Sequence, residues 1–96
     1  MNNGIRIFPG SPRTAVFTTR FVLEGSPITL VRHDEEDGAW QFLSDEEFED
    51  FESVARVVAF EEIVAMDPTV LDVADMPPGH YATRTSPVDP WAVFVG

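Results

Sequence analysis

The chain offers few kinds of side chain for acid–base or nucleophilic chemistry, because it contains no cysteine and no lysine. A covalent nucleophile would therefore have to be a serine, a threonine or a carboxylate. The sequence has no Gly-x-Ser-x-Gly elbow, and its six glycines are scattered singly, so it has no glycine-rich phosphate loop. We therefore expect that the chain is not an enzyme.

Two histidines, His33 and His80, and one arginine, Arg84, keep an alternative open. The histidines could meet only if the strands that carry them were neighbours in a sheet. A small-ligand-binding or enzymatic domain would use His33, His80 or Arg84 in a concave pocket, where the arginine or a histidine meets carboxylates. A protein-binding domain would instead present a broad acidic face, so the positions of these residues distinguish the two hypotheses.

The acidic stretch around Gly38 has the composition of a calcium-binding loop, but its spacing is wrong. With Gly38 at the sixth position of an EF-hand loop, His33 stands first and Ser44 stands twelfth, where the loop requires Asp and Glu. The lack of cysteine also excludes cysteine-ligated zinc and iron–sulfur centres. We therefore expect no metal and no other cofactor.

Negative charge dominates the composition, since 17 acidic residues face six basic ones, all arginine, and the formal net charge is −11. Ten of the acidic residues lie between Asp34 and Glu52, a stretch without any arginine. Such a surface repels nucleic-acid phosphates and anionic lipids, so we expect neither nucleic acid nor a membrane as a partner. An acidic surface attracts a basic protein partner. An acidic stretch that only keeps the protein soluble has the same composition, so the sequence leaves both interpretations open.

Two phenylalanines, Phe48 and Phe51, stand inside the densest part of this acidic stretch. Aromatic residues within a charged rim are typical of protein–protein interfaces. An amphipathic helix gives the same pattern when its phenylalanines face the core and its acids face water, and the sequence leaves both interpretations open. The candidate partner-binding residues are Glu46, Glu47, Phe48, Glu49, Asp50 and Phe51.

The elements that must position these residues follow an irregular N-terminal arm, residues 1–13, which is rich in glycine and proline. Residues 14–96 are expected to form a single α+β domain that includes an apolar C-terminal tail. The first residues lack the apolar core of a signal peptide, and no apolar run reaches the roughly 20 residues that span a bilayer. These features, together with the use of arginine in place of lysine, favour a cytoplasmic protein from a GC-rich bacterial genome.

Strand-forming residues over 28–33 and 39–43 flank a turn at 34–38 that ends in Asp-Gly. This pattern predicts a hairpin, and it places Trp40 and Phe42 on one face of the second strand. Another strand-forming stretch precedes the hairpin in the chain. The first half of the domain is therefore expected to be mostly β-structure.

The second half of the domain is expected to contain short helices. A capping box that begins at Ser44 predicts a helix over roughly 45–53, whereas residues 55–58 fit either a strand or a helical continuation. Apolar spacing predicts a further helix over 59–66. An Asp-Pro step predicts the start of another helix at Pro68.

The last elements complete the predicted fold. Residues 80–85 alternate and predict a final strand, and Trp91 in the tail is expected to pack on the sheet. Together the elements predict an α+β fold with a small antiparallel sheet of about four strands and two or three short helices on one face. A homodimer through an exposed edge strand or through the apolar tail is a further option.

Several landmarks follow one another in a characteristic order, namely residues 16–25, residues 38–46, Asp67-Pro68, Pro77-Pro78-Gly79, Arg84 and Pro90-Trp91. This order resembles a family of bacterial immunity-protein-like domains of unknown function, the immunity protein thirty-three-like family. The resemblance implies a small protein-binding domain that neutralises a toxin, with a basic surface as the matching partner for this acidic chain. It implies no catalytic motif, and it implies fold-keeping roles for Trp40, Pro68, Gly79 and Arg84.

Overall fold

The computed structural model of the chain describes residues 13–96, and the predicted N-terminal arm lies outside the described residues except for Arg13. Within residues 13–96 the backbone forms one sheet of six strands, three short α-helices and a 3₁₀ helix. The strands are β1 (Ala15–Thr19), β2 (Leu30–His33), β3 (Trp40–Leu43), β4 (Ala55–Ala59), β5 (His80–Thr83) and β6 (Ala92–Val95). The helices are α1 (Arg20–Leu23), α2 (Phe51–Val54), α3 (Phe60–Met66) and the 3₁₀ helix Pro68–Val73.

The sheet is mixed, with the strand order β4-β1-β3-β2-β5-β6. β3 lies between β1 and β2, and it runs parallel to β1, whereas every other neighbouring pair is antiparallel. The predicted α+β class is confirmed, but the prediction of about four antiparallel strands is wrong. Residues 55–58, which fit either a strand or a helix, form part of β4, and the tail forms β6. Each gains a strand partner that local sequence does not reveal.

One face of the sheet builds the hydrophobic core. The alternating strand residues Val16, Val31, Phe42 and Ala82 are each at most 1 % exposed on this face. They form one cluster with buried residues of α1, α3 and the 3₁₀ helix, so these three elements cover the same face. Full burial of a valine or phenylalanine side chain stabilises a fold by about 1.5–3 kcal/mol.

The opposite face of the sheet, called the open face below, is more exposed. The strand register places one residue of each strand in a row across it. Phe17 is 36 % exposed and Phe94 is 46 % exposed, so the open face keeps aromatic surface in contact with water. The row consists of Val57, Phe17, Gln41, Arg32, Tyr81 and Phe94.

The predicted β2–β3 hairpin is confirmed. The Asp34 N–H donates to the Ala39 carbonyl at 2.8 Å, and the Gly38 N–H donates to the Asp34 carbonyl at 3.0 Å. Gly38 has a φ of 72°, a conformation that side chains with a Cβ rarely adopt, so the turn requires this glycine. Trp40 and Phe42 are buried on the core face, as the alternation predicts.

The predicted helix over 45–53 is wrong. Residues 45–50 are irregular, and α2 is a single turn that begins at Phe51. Asp50 is its N-cap, since the Asp50 carboxylate accepts a hydrogen bond from the Glu52 N–H at 3.3 Å. The helical part of this stretch is therefore shorter than its apolar spacing suggests.

Side-chain hydrogen bonds explain why the helix does not form. The Ser44 hydroxyl donates to the Glu46 carboxylate instead of capping a helix. The Ser26 hydroxyl also donates to Glu46, and the Thr29 hydroxyl donates to Asp45. Hydrogen bonds of this kind compete with the helical backbone pattern, so the segment is held to the loop before β2.

The two later helices lie where the sequence predicts them. α3 ends at Met66, and the Asp67 carboxylate then accepts the Thr69 N–H at 3.1 Å at the start of the next helix. That helix is 3₁₀ rather than α, and it buries Val70 together with Ala74, which follows it. The predicted final strand is β5, but the tail adds β6 beyond it.

Candidate functional site

The acidic stretch that forms one run in the sequence is divided into two patches by β3. The hairpin turn, residues 34–37, lies at one end of this strand, and the acidic segment, residues 44–52, follows its other end. A strand of four residues is about 13 Å long, so the patches are separated by the length of the strand. The two patches can therefore be varied independently.

The acidic segment faces solvent. Every residue from 45 to 50 is exposed. Hydrogen bonds from the Ser26 hydroxyl, and then from the Ser44 hydroxyl, lower the pKa of Glu46 below its ordinary value. The segment is therefore a band of exposed carboxylates that Ser26 and Thr29 of the preceding loop hold at its first residues.

Phe48 and Phe51 form an aromatic pair within the acidic segment. Their ring centroids are 5.9 Å apart, and their planes meet at 45°. Phe48 is 40 % exposed, whereas Phe51 is half-buried, and neither residue belongs to the buried core cluster. The interpretation in which both rings face the core therefore does not describe Phe48, whose ring is available to a partner.

Two ion pairs among residues 13–96 lie outside the acidic segment. An Arg20 nitrogen is 3.6 Å from a Glu24 oxygen, and an Arg84 nitrogen is 2.6 Å from an Asp67 oxygen. Neither of these two pairs involves a carboxylate of the acidic segment.

An open groove of about 380 Å³ lies beside the acidic segment. Ser26, which donates a hydrogen bond to Glu46, is also one of the residues that line the groove. Its apolar lining consists mainly of Pro27, Met66, Pro68 and Pro87. Sequence reasoning missed Ser26 and the groove, because only the fold brings the loop before β2 against the acidic segment.

Arg84 lies in a buried corner of the fold, where its side chain is 1 % exposed. Its Nη2 is 2.6 Å from Asp67 Oδ2, its Nε donates to the Ile28 carbonyl at 3.0 Å, and its Nη1 donates to the Thr69 hydroxyl at 2.8 Å. The Arg84 guanidinium also lies 4.0 Å from the centroid of the Trp91 ring. Trp91 therefore packs against this arginine and the core edge.

The contacts of this corner show that Arg84 holds the fold together. Burial raises the pKa of Asp67, but hydrogen bonds from Thr69 and Arg84 outweigh it and leave that pKa below its ordinary value. The pair joins the start of the 3₁₀ helix to the end of β5. Arg84 therefore lies in this corner, whereas the two histidines line a different cleft.

His33 and His80 do meet, because β2 and β5 are neighbours and their register pairs the two residues directly. His33 Nδ1 lies 2.7 Å from the Met76 carbonyl oxygen, and its ring stacks on Trp40 with centroids 3.9 Å apart. His80 Nδ1 lies 3.3 Å from the Pro78 carbonyl oxygen. With carboxylates of the hairpin turn, the two residues line a cleft of about 250 Å³, called the histidine cleft below.

The histidine cleft is not a preformed metal centre. Among residues 13–96, no group of three or more His, Asp or Glu side chains is arranged to hold a metal ion. A backbone carbonyl oxygen lies near each Nδ1, and since a carbonyl oxygen can only accept, each Nδ1 is the donor of that hydrogen bond. The cleft therefore presents two histidines, three carboxylates of the hairpin turn and the guanidinium of Arg32 to a ligand.

Comparison with known proteins assigns the chain to no established group, because no protein family model, curated protein or solved structure matches it. The resemblance to immunity-protein-like domains stays a prediction from the sequence. Within the described part of the chain, no helix is long and apolar enough to cross a membrane. Function is therefore inferred from the geometry of the surface.

Proposed function

We propose that the chain is a cytoplasmic, non-enzymatic protein-binding domain that binds a basic partner through its acidic segment. The observation that carries this proposal is the exposed run 45–50, in which carboxylates surround the partly exposed ring of Phe48. The family resemblance adds the class of partner, a toxin whose basic surface the domain masks. The contact residues are the predicted set, Glu46, Glu47, Phe48, Glu49, Asp50 and Phe51.

The mechanism combines electrostatic steering with an aromatic contact. Complementary charge raises association rates to about 10⁸–10⁹ M⁻¹s⁻¹ at low salt, against about 10⁵–10⁶ M⁻¹s⁻¹ without steering. The Phe48 ring then supplies apolar area at the centre of the charged surface. Truncation of a residue at the centre of an interface can cost about 2 kcal/mol or more of binding free energy. The groove beside the segment accepts apolar groups of the same partner.

The separation of the two acidic patches permits a matched test of this proposal. The variant Glu47→Lys/Glu49→Lys reverses two exposed carboxylates of the acidic segment, and the variant Glu35→Lys/Glu36→Lys does the same in the hairpin turn. Each substitution adds two positive charges, so both variants carry a net charge of −7 in place of −11. The test spares Glu46 and Asp50, because these residues also hold local structure.

Isothermal titration calorimetry measures the affinity of each variant for a toxin-like protein that is encoded by a neighbouring gene. We expect the acidic-segment variant to lose at least about tenfold in affinity, equivalent to about 1.4 kcal/mol, and the hairpin-turn variant to lose less than about threefold. Equal losses in the two variants would show that only the net charge matters. Absence of binding by the unmodified chain would refute the toxin as partner.

A second candidate function, small-ligand binding, is favoured by the direct pairing of His33 and His80 in the histidine cleft. The acidic rim from the hairpin turn suits a small cationic ligand, such as a short amine. Titration with short amines and guanidines, followed by the imidazole resonances of both histidines, tests this candidate. Shifts that Glu35→Lys/Glu36→Lys abolishes would support it, and unchanged resonances would contradict it.

A further inference from the structure

β6 is the outermost strand of the sheet, and its outer side pairs with no other strand of residues 13–96. All four of its residues are exposed, and the exposed fraction is 49 % for Val93, 46 % for Phe94 and 78 % for Val95. An edge strand presents a row of unpaired N–H and C=O groups, with which another strand can pair. β6 therefore has both the backbone groups and the apolar side chains of an interface.

The hydrogen-bond register shows which backbone groups of β6 point outward. The Gly96 N–H donates to the Gly79 carbonyl at 2.9 Å, so this pair belongs to the bonded positions of the β5–β6 ladder. Bonded and non-bonded pairs alternate in an antiparallel ladder. The next pair, Val95 with His80, is therefore non-bonded, and the pair after it, Phe94 with Tyr81, is bonded. Phe94 thus directs its backbone groups towards β5. Val93 and Val95 therefore direct their N–H and C=O groups towards the free edge.

The other edge of the sheet, β4, is protected against such pairing. Arg56 lies within β4 as an exposed charge, and its Nη1 donates to the Ala55 carbonyl at 2.8 Å. Charged side chains on edge strands are a common protection against unwanted strand addition. β6 has no charged residue and no proline, so it lacks this protection.

We propose that β6 pairs antiparallel with β6 of a second copy of this chain and joins the two sheets into one of twelve strands. The interface is built around a twofold axis, so each contact occurs twice. Val93 of each copy exchanges backbone hydrogen bonds with Val95 of the other copy. The Phe94 residues of the two copies stand opposite each other at the axis.

The packing at the axis suits this register. Residues at a non-bonded antiparallel position have Cα atoms about 4.5 Å apart, so the two Phe94 side chains touch. Each Phe94 ring already stacks on Tyr81 of its own chain, with centroids 5.4 Å apart. The dimer therefore extends one aromatic row across the open face of both copies.

The acidic segment, unlike the hairpin turn, lies far from β6, so it adds little repulsion between two copies that pair at this edge. The acidic segment leads from β3 towards β4, at the opposite side of the sheet from β6. Strands are about 4.8 Å apart, so about 34 Å separate the two β3 strands of the dimer. This distance is several times the Debye length of about 8 Å at physiological ionic strength. Both acidic segments therefore stay free for the proposed basic partner.

Sedimentation velocity of the unmodified 96-residue chain, from micromolar to millimolar concentration, tests the proposal. We expect the sedimenting mass to rise from 10.7 kDa towards twice that value. Added salt should strengthen association, because it screens the repulsion between two chains of charge −11. A single species of 10.7 kDa over the whole range would overturn the proposal.

A matched pair of variants identifies the interface. Val93→Pro removes one N–H group at the free edge and leaves the hydrogen bonds between β5 and β6 intact. Val93→Thr is the control, because it keeps this N–H group and a β-branched side chain. We expect Val93→Pro to weaken dimerisation at least about tenfold and Val93→Thr to weaken it less than about threefold. If Val93→Pro perturbs the fold, as seen by circular dichroism, Val95→Lys at the same edge serves instead and should give the same loss.

Other modes of association give different results. If Val93→Pro and Val95→Lys both dimerise like the unmodified chain, the pairing through β6 is wrong. If Phe17→Glu on the open face dissociates the dimer while the β6 variants do not, the two copies associate face to face, which also contradicts the proposal. Loss of dimerisation in both β6 variants, with Phe17→Glu still dimeric, would support it.

Discussion

In the Arg84–Asp67 corner a carboxylate meets an arginine side chain that is 1 % exposed, whereas in the acidic segment six carboxylates face water. The corner fixes four stretches of the chain through one guanidinium, from the loop before β2 to the tail. The acidic segment makes few contacts beyond those of Ser26 and Thr29 with its first residues. Burial and a built-in counter-charge make the corner a stabilising region, whereas its exposure to solvent is what suits the acidic segment to the proposed role in binding.

The largest effect that we predict is the loss of the buried arginine. Arg84→Ala should lower the free energy of unfolding by about 3–5 kcal/mol, because it leaves the partly buried Asp67 unpaired and removes the support of Trp91. Arg32→Ala, at an exposed position on the open face, is the control and should change it by less than about 0.5 kcal/mol. Urea denaturation measures both, and equal effects would show that the corner does not carry the stability.

The pH dependence of stability should also distinguish the corner. The folded pKa of Asp67 lies below its ordinary value, so its stabilising contribution is complete above the unfolded pKa, about 3.9, and is lost as the pH falls through the folded pKa. We predict that Asp67→Asn is less stable than the unmodified chain at pH 7 and that the difference shrinks in acid. A difference that stays constant from pH 7 to pH 2, by chemical denaturation, would contradict this.

A smaller effect is expected where the acidic segment joins the loop before β2. Ser26→Ala removes the hydroxyl that contributes most to the lowered pKa of Glu46, so this pKa should rise towards its ordinary value. Carboxyl chemical shifts over a pH titration measure it. Ser53→Ala, in which the lost hydroxyl bonds only to the Asp50 carbonyl, is the control and should leave Glu46 unchanged.

The smallest effect on stability is expected in the acidic segment itself. Glu47→Lys/Glu49→Lys should change the free energy of unfolding by less than about 0.5 kcal/mol, since both side chains are exposed. Thermal and urea denaturation check this. A loss above about 1 kcal/mol would mean that these carboxylates support the fold, and the contrast between the two regions would fail.

Local sequence was sufficient for elements that local interactions determine. The hairpin at Gly38, the end of α3 and the Asp67 cap of the next helix all depend on residues within a few positions of each other. The α+β class follows from the same local patterns. These features were therefore predictable without knowledge of the tertiary fold.

Elements that depend on distant partners were not predictable. β6 exists because the tail pairs with β5, and the segment 45–50 is irregular because Ser26 and Thr29 bond to it from the preceding loop. The sequence position of Arg84 gives no sign that Asp67 is its partner, so this ion pair required the fold. The sequence shows the candidate contact residues as a cluster of acidic and aromatic residues. That β3 separates this cluster from the hairpin turn is known only from the fold.

The most direct test of the central claim is the salt dependence of the association rate with the basic partner, measured by stopped-flow mixing. We expect a steep fall in rate with ionic strength for the unmodified chain and for Glu35→Lys/Glu36→Lys, and a clearly shallower fall for Glu47→Lys/Glu49→Lys. The same slope for all three proteins would contradict the claim, because the acidic segment would then have no special part in guiding the partner.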